Sequence, residues 1–300
     1  MMQRRTFIKA SASVVCGLVA GCNRNGLSLA KDRDFKISLA QWSFHKKLFA
    51  SEMDNLDFAA ESKRLGFEGI EYVNAFFKDK AADAGYLARM KKRAADAGIT
   101  SLLIMCDGEG NLGDPDTAKR QQAVENHHKW VDAARTLGCH SIRVNAASEG
   151  SYDEQMKLAA DGLRNLCVYA KPMDVNVIVE NHWGLSSQGT WLPKVIEMTG
   201  MDNCGTLPDF GNFPGEVDRY EAVGLMMPFA KAVSAKSYDF DADGNETKID
   251  YDKMMEIVLG HGYRGYVGVE YEGDRLSEED GIIATRKLLE KIRSGRTAKG

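Results

Sequence analysis

The chain has 300 residues, 44% of them hydrophobic and 27% charged, with a formal net charge of −4. That length and apolar content suit one large domain with a full core. The acidic balance argues against nucleic acid, whose phosphates demand basic patches, and no apolar run reaches the roughly 20 residues needed to span a bilayer.

The first segment reads as a targeting sequence rather than as fold. Residues 3–10, QRRTFIKA, resemble a twin-arginine export signal, with Arg4 and Arg5 followed by Phe7, Ile8 and Lys9. A weakly apolar stretch follows and ends in Val19, Ala20, Gly21 and Cys22, which resembles a lipobox. The expectation is removal of residues 1–21, a lipid on Cys22, and an exported protein that is periplasmic or anchored to the membrane only through that lipid. Losing Arg4, Arg5 and Lys9 takes the net charge from −4 to −7. Residues 22–34 are polar and irregular and read as a tether. With Cys16 removed and Cys22 lipidated, Cys106, Cys139, Cys167 and Cys204 remain; no C-x-x-C appears among them, and they read as free thiols.

After the tether a regular alternation begins. Strand candidates are 35–44, 66–76, 98–107, 139–146, 175–182, 204–213, 231–240 and 264–272. Between them lie helical patterns such as LDFAAESKRLG, YLARMKKRAADAG and AKRQQAVENHHKWVDAARTLG, several stopped by Gly. YDEQMKLAADGLRNLCVYAK is a further long one, and EEDGIIATRKLLEKIRSG is the last. Eight strands alternating with helices at about 32 residues per unit predict an α/β protein with a (β/α)8 TIM barrel at 35–294 and a tail at 295–300. An open doubly wound sheet would want a Gly-rich phosphate turn after an early strand, and QWSFHKKLF has no Gly.

Three strands end in carboxylates: VNVIVENHWG with Glu180, CGTLPDFGNF with Asp209 and YVGVEYEG with Glu270. Barrels place their active sites at the C-terminal ends of the strands. There, acids from strands five, six and eight could grip a divalent ion or act as acid and base on opposite sides of a carbon. A period of two puts Glu180 and His182 on one face of strand five and Ser234 and Lys236 on one face of strand seven. Lys236 suits either a substrate oxygen or neutralisation of the carboxylates. Arg143 and Asn145 near the end of strand four suit substrate contact or rim packing. Glu180 and Glu270 as plain ion-pair partners of Arg143 or Lys236 is the competing reading. Trp42 and His45, ending strand one, suit stacking on a sugar face; Trp183 and Trp191 suit stacking or the core. His127 and His128 read as packing residues, and His140 lies at the wrong end of its strand. Asp239 to Asp250 imitates a calcium loop, but it follows a strand and ends in Asp, so it reads as a turn.

The Glu-Asn-His after strand five, the Asp-Phe-Gly-Asn-Phe after strand six and the Val-Gly-x-Glu of strand eight resemble the sugar phosphate isomerase/epimerase family, a xylose-isomerase-like TIM barrel group, over residues 35–294. The resemblance implies that Glu180, Asp209 and Glu270 hold a divalent metal and that the two Glu form the acid/base pair. Two positions depart from the family pattern. Ser234 stands where a strand-seven His is usual, and Asn212, a candidate substrate contact, stands where some relatives place a His. An oxygen-rich set favours manganese or magnesium over zinc or cobalt. The loops after strands seven and eight are acidic, which favours a non-phosphorylated sugar. The expected function is therefore a metal-dependent isomerase or epimerase on a sugar or keto-sugar. The alternatives are a lyase or hydratase on 3-keto sugars or keto-glycosides and a non-catalytic sugar-binding lipoprotein. An endonuclease-IV-type nuclease would need a His-rich zinc cluster and a basic groove. Homo-oligomerisation is left open.

Overall fold

The computed structural model describes residues 35–297. The expected signal at 1–21 and tether at 22–34 lie outside the described residues. Each strand candidate contains one observed strand: β1 (Lys36–Ala40), β2 (Gly69–Val73), β3 (Thr100–Met105), β4 (Ser141–Val144), β5 (Asn176–Glu180), β6 (Cys204–Leu207), β7 (Val233–Ser237) and β8 (Tyr266–Tyr271). The helices are α1 (His45–Phe49), α2 (Phe58–Arg64), α3 (Ala84–Ala97), α4 (Thr117–Leu137), α5 (Tyr152–Ala170), α6 (Trp191–Thr199), α7 (Arg219–Met226), α8 (Tyr251–Gly260) and α9 (Glu278–Thr297).

Local chemistry sets the helix ends. Side chains of Asp83, Asp116, Asp218 and Asp250 accept from the first-turn amides of α3, α4, α7 and α8. Ser151 and Glu154 form a reciprocal capping box at α5. Each such cap stabilises its helix by about 1 kcal/mol. Gly98 and Gly138 end α3 and α4 in the left-handed conformation, at φ 61° and 80°, which costs a glycine nothing.

The strands are parallel, in the order β6-β5-β4-β3-β2-β1-β8-β7. Between β6 and β7 the ladder gives way to two isolated parallel bridges, Thr206 with Ala230 and Asp209 with Ser234. Ser234 N donates to Pro208 O at 2.9 Å and Phe210 N to Ser234 O at 3.1 Å. Pro208 has no N–H to contribute, so β6 stops at Leu207 and the barrel closes through the segment beyond it. That seam sets Asp209 directly beside Ser234.

Two apolar clusters result. The larger joins helices to the outer faces of the strands and buries Trp130 and Trp191. The smaller, inside the barrel, consists of Ala40, Val73, Leu103, Met105, Ile178, Leu207 and Ala232. Strands buried on both faces need apolar residues on both, hence their continuous Val and Ile runs. The inward positions not filled by that inner cluster include Glu71, Arg143, Glu180, Asp209, Lys236 and Glu270, each 5% exposed or less. Among the described residues no helix is long and apolar enough to cross a membrane, and the four described cysteines are buried and free.

Candidate metal centre and active site

Glu180 ends β5, Glu270 lies on β8, and Asp209 follows β6 at the seam. One oxygen from each lies within 4.8 Å of the others. A single ion with metal–oxygen bonds of roughly 2.0–2.6 Å can bridge such a set. The three are buried, at 2%, 0% and 4% exposure, and buried carboxylates need compensation.

The protein supplies that compensation incompletely. Arg143 Nε lies 2.8 Å from Glu180 Oε2, but out of line, so neither atom has a hydrogen-bond partner. Glu180 Oε1 accepts from Asn212 Nδ2 at 3.0 Å. Ser234 Oγ lies 2.8 Å from Asp209 Oδ2 and 2.9 Å from Glu270 Oε2. A hydroxyl carries one hydrogen and can satisfy only one of the two. Lys236 Nζ stands 3.9 Å from Asp209, 3.5 Å from Glu270 and 3.3 Å from Glu272, beyond good hydrogen-bond length. The ion-pair reading of the two Glu is thus realised in contacts, yet it leaves a buried carboxylate oxygen orphaned. A divalent cation fits this donor set.

Burial, aided by Glu270 and Asp209 and opposed by Arg143, pushes the Glu180 carboxyl up to about 8. Burial does the same for Asp209, to about 6, with Lys236 opposing. For Lys236 burial works against the charge, but Asp209, Glu270 and Glu180 hold it well above the usual lysine range.

Asn181 follows Glu180 and clamps the seam. Its Nδ2 donates to Asp209 O at 3.0 Å and its Oδ1 accepts from Asp209 N at 2.7 Å. Asp209 Oδ1 in turn accepts from the amides of Gly211 and Asn212, each at 2.7 Å. The Asp-Phe-Gly-Asn loop is therefore folded around its own carboxylate.

A second network sets His182. Asp107, just past β3, accepts from Arg143 at 2.8 Å and from Asn145 Nδ2 at 2.6 Å. A carboxylate only accepts, so the Asn145 amide must turn its nitrogen to Asp107. Its Oδ1 then faces His182 Nδ1 at 3.1 Å and requires a hydrogen there. That assigns the His182 tautomer from the bonding pattern and leaves Nε2 with the lone pair. Burial and the Arg143 charge lower His182 to about 4, so it is neutral at physiological pH. Burial raises Asp107, but Arg143 and the hydrogen bonds from Arg143 and Asn145 bring it below its ordinary value.

Of these groups His182, Asn212, Lys236 and Glu272 line a cavity of about 420 Å³, with Trp183, Phe213 and others, while Glu180, Asp209 and Glu270 lie behind that lining. Of the sequence-derived site residues, Glu180, Asp209, Glu270, Lys236, Arg143, Asn145, His182 and Asn212 form this connected network. Trp42 and His45 do not line the cavity. They stack on each other at 5.0 Å and 14°, and Trp42 packs with Phe76 over the inner barrel cluster. Trp191 is core, while Trp183 is 77% exposed. His127 is buried against Ala123 O, and His128 stacks on Tyr169. In the calcium-like loop, Asp239 pairs with Arg275 and Asp241 accepts from Asp243 and Asn245. Its turn satisfies itself.

Three residues escaped the sequence reading. Asp107 and Asn181 carried a signal, a polar residue at or just past a strand end. Glu71 carried a weaker one, an acid within an apolar strand. Its Oε1 accepts from Ser38 at 2.6 Å, and its Oε2 has no partner. Burial, with Glu270 adding, pushes it up to about 7. Gly268 opposite makes the room, since a Cβ there would meet both carboxylate oxygens.

Residues 59–292 match the family described as xylose isomerase-like TIM barrel. Among solved structures, 3-keto-D-glucoside 4-epimerase from E. coli superposes with a TM-score of 0.70 at 16% identity, over 86% of this chain and 99% of that one. The IolI protein with a bound zinc atom gives 0.69 at 16% identity, over 87% and 99%. At such identities the likeness is one of fold. The C-glycoside deglycosidase alpha subunit of Arthrobacter globiformis is 38% identical over 65 residues, 21% of this chain and 18% of that protein. The chain therefore matches less than a fifth of that relative's length.

Proposed function

The chain belongs to the xylose isomerase-like TIM barrel family, and from that premise we propose that it moves a proton on a non-phosphorylated sugar or keto-sugar, as an isomerase or epimerase. The observation that carries this reading is the buried Glu180, Asp209 and Glu270 triad with its orphaned oxygen. These three would hold a divalent metal, with manganese or magnesium favoured by an all-oxygen set. When bound, the metal would polarise a sugar carbonyl and its neighbouring hydroxyl.

The chain's own groups do the rest. Glu180 and Glu270 come from β5 and β8, so one can take the proton α to the carbonyl while the other returns a proton elsewhere. Asn212 orients Glu180 by a hydrogen bond and Arg143 stands beside it as a countercharge; Ser234 offers its one hydrogen to Glu270 or to Asp209. Neutral His182 offers Nε2 to a substrate hydroxyl. Lys236 supplies positive charge where negative charge develops on the sugar oxygen. The cations near the acidic loops support a sugar without phosphate, because Arg275 pairs with Asp239 and Lys46 with Asp274. The twin-arginine and lipobox patterns support action outside the cytoplasm.

A second reading is elimination, in which the same proton abstraction expels a group at the β carbon. The similarity to a deglycosidase favours it.

The test incubates the manganese-loaded protein with unphosphorylated ketoses and 3-keto-glucosides in heavy water. Deuterium should enter the carbon beside the carbonyl, and Glu180→Gln and Glu270→Gln should each slow this by about 10²–10⁴-fold, the usual worth of a positioned acid or base. Wild-type protein that takes up no metal, or exchange that survives both substitutions, would defeat the proposal.

A further inference from the structure

The cavity offers more than a proton transfer at one sugar carbon requires. His182, Lys236 and Glu272 lie on its lining beside a very different group, Trp183, Phe213 and Pro214. Of these, Trp183 stands out twice. It is 77% exposed, so it contributes little to the core. It also holds φ 76° and ψ 158°, a region suited to glycine and strained for an indole-bearing residue.

The strain is fixed in place by specific bonds. Trp183 N donates to Ser187 Oγ at 3.2 Å, Ser186 Oγ donates to Trp183 O at 2.7 Å, and His182 N donates to Ser186 Oγ at 3.0 Å. The indole lies beside His182, with ring centroids 5.4 Å apart. A flat apolar surface is thus held next to His182, on the cavity that Lys236 also lines. Neither core packing nor backbone preference accounts for a Trp at this position. A ligand that covers it does.

We propose that Trp183 is the platform of a second-ring subsite, and that the substrate is a glycoside whose aglycone lays a flat apolar ring face on the indole while its sugar reaches the carboxylates. The proposal rests on the reading of the carboxylate site as a sugar site. An aryl ring and a second sugar ring share this chemistry, and both stack on Trp.

The test measures equilibrium binding of methyl β-D-glucoside, phenyl β-D-glucoside and cellobiose to the manganese-loaded full-length protein, beside Trp183→Gly and Trp183→Ala. None of the three probes carries the keto group, so binding is read without turnover. Phenyl glucoside should bind roughly 2- to 12-fold more tightly than methyl glucoside, as one aromatic stack provides. Both substitutions should abolish that difference and leave methyl glucoside unchanged. Trp183→Gly, which relieves the strained φ, should unfold at no lower temperature than wild type; a Trp needed for packing would lower it. A gain shared by cellobiose identifies the ring as a second sugar, and one confined to phenyl glucoside identifies an aryl group. Equal binding of methyl and phenyl glucosides, or a difference that survives both substitutions, overturns the subsite and leaves the sugar reading standing. A Trp183-dependent gain without deuterium exchange on any keto-sugar keeps the subsite and removes the proton-transfer reading. If no glycoside binds, the subsite falls, and the deuterium exchange decides the sugar reading separately.

Discussion

Stripping the metal should make the protein's stability fall as pH rises above 6.5, and Glu180 should be the cause. Its carboxyl is pushed from an ordinary 4.5 up to about 8 in the folded protein. A carboxyl raised by folding stabilises the folded state below its unfolded value, and that benefit is lost as pH rises through the folded value. Between pH 6.5 and 8 the unfolded chain has already ionised this group while the folded chain is only giving up its proton. At 1.36 kcal/mol per pH unit, that window costs about 1.5 kcal/mol. Glu71, raised to about 7, adds a smaller loss of the same sign in the lower half of the window. His182, lowered from 6.5 to about 4, acts with opposite sign, but only about 0.4 kcal/mol of its gain remains to be made above pH 6.5. For a domain of this size the loss is about 3–6 °C in Tm. The assay is thermal unfolding of chelator-treated protein at pH 6.5, 7, 7.5 and 8, with and without manganese, for wild type and Glu180→Gln. Manganese should flatten the slope, because a bound cation holds Glu180 ionised. The substitution should flatten it without metal. Glu71 leaves a residual slope in each case; a slope in Glu180→Gln, or under saturating manganese, as steep as that of the metal-free wild type would refute the argument.

Two further outcomes follow from the contacts around the site. Asp107→Ala removes the acceptor that orients Asn145 and, through it, His182; turnover should fall about 10–100-fold with little change in KM, as for other partners one step behind a site. Unchanged turnover and pH profile would show that the tautomer is set elsewhere. Ser234→His places an imidazole between Asp209 and Glu270, so zinc affinity measured by competition with a chelator should rise at least about 10-fold. No rise would mean that the ion does not sit beside Ser234.

The strands were legible because a two-face-buried parallel strand leaves a run of Val and Ile in the sequence, and the acids that end β5 and β8 or follow β6 interrupt those runs where a barrel exposes its chemistry. Helices α6, α7 and α8 carried weaker marks, being short segments whose stability comes from packing rather than pattern. The seam was not legible. Nothing local in VSAKS announces that Ser234 faces Asp209; that follows from Pro208 ending the ladder and the chain closing beyond it. The same holds for Glu71, whose tolerance depends on Gly268 two hundred residues away in the chain. Trp42 and His45 were legible as aromatic groups at a strand end but not as partners of each other, since α1 turns His45 back so that Nδ1 lies 2.8 Å from Trp42 O.

Four carboxylates, Glu71, Glu180, Asp209 and Glu270, are buried in the barrel interior against two buried cations, Arg143 and Lys236. Desolvation of each ion costs several kcal/mol, and attraction offsets it only with close, aligned partners. Here the Lys236 contacts are 3.3 Å or longer, and the Arg143 contact to Glu180 is short but misaligned. A site built to be stable alone would have tightened these pairs or replaced them with apolar groups. Leaving them loose keeps the carboxylate oxygens available and lowers the free energy of any state that adds a small dication. Metal affinity and metal-dependent stabilisation are then one quantity seen twice: the rise in unfolding free energy with metal concentration should follow RT ln(1 + [M]/Kd), with a Kd equal to that from direct titration. The orphaned oxygen of Glu180 is where that coupling resides, which is why the Gln variant should lose the ion and the larger part of the pH slope together.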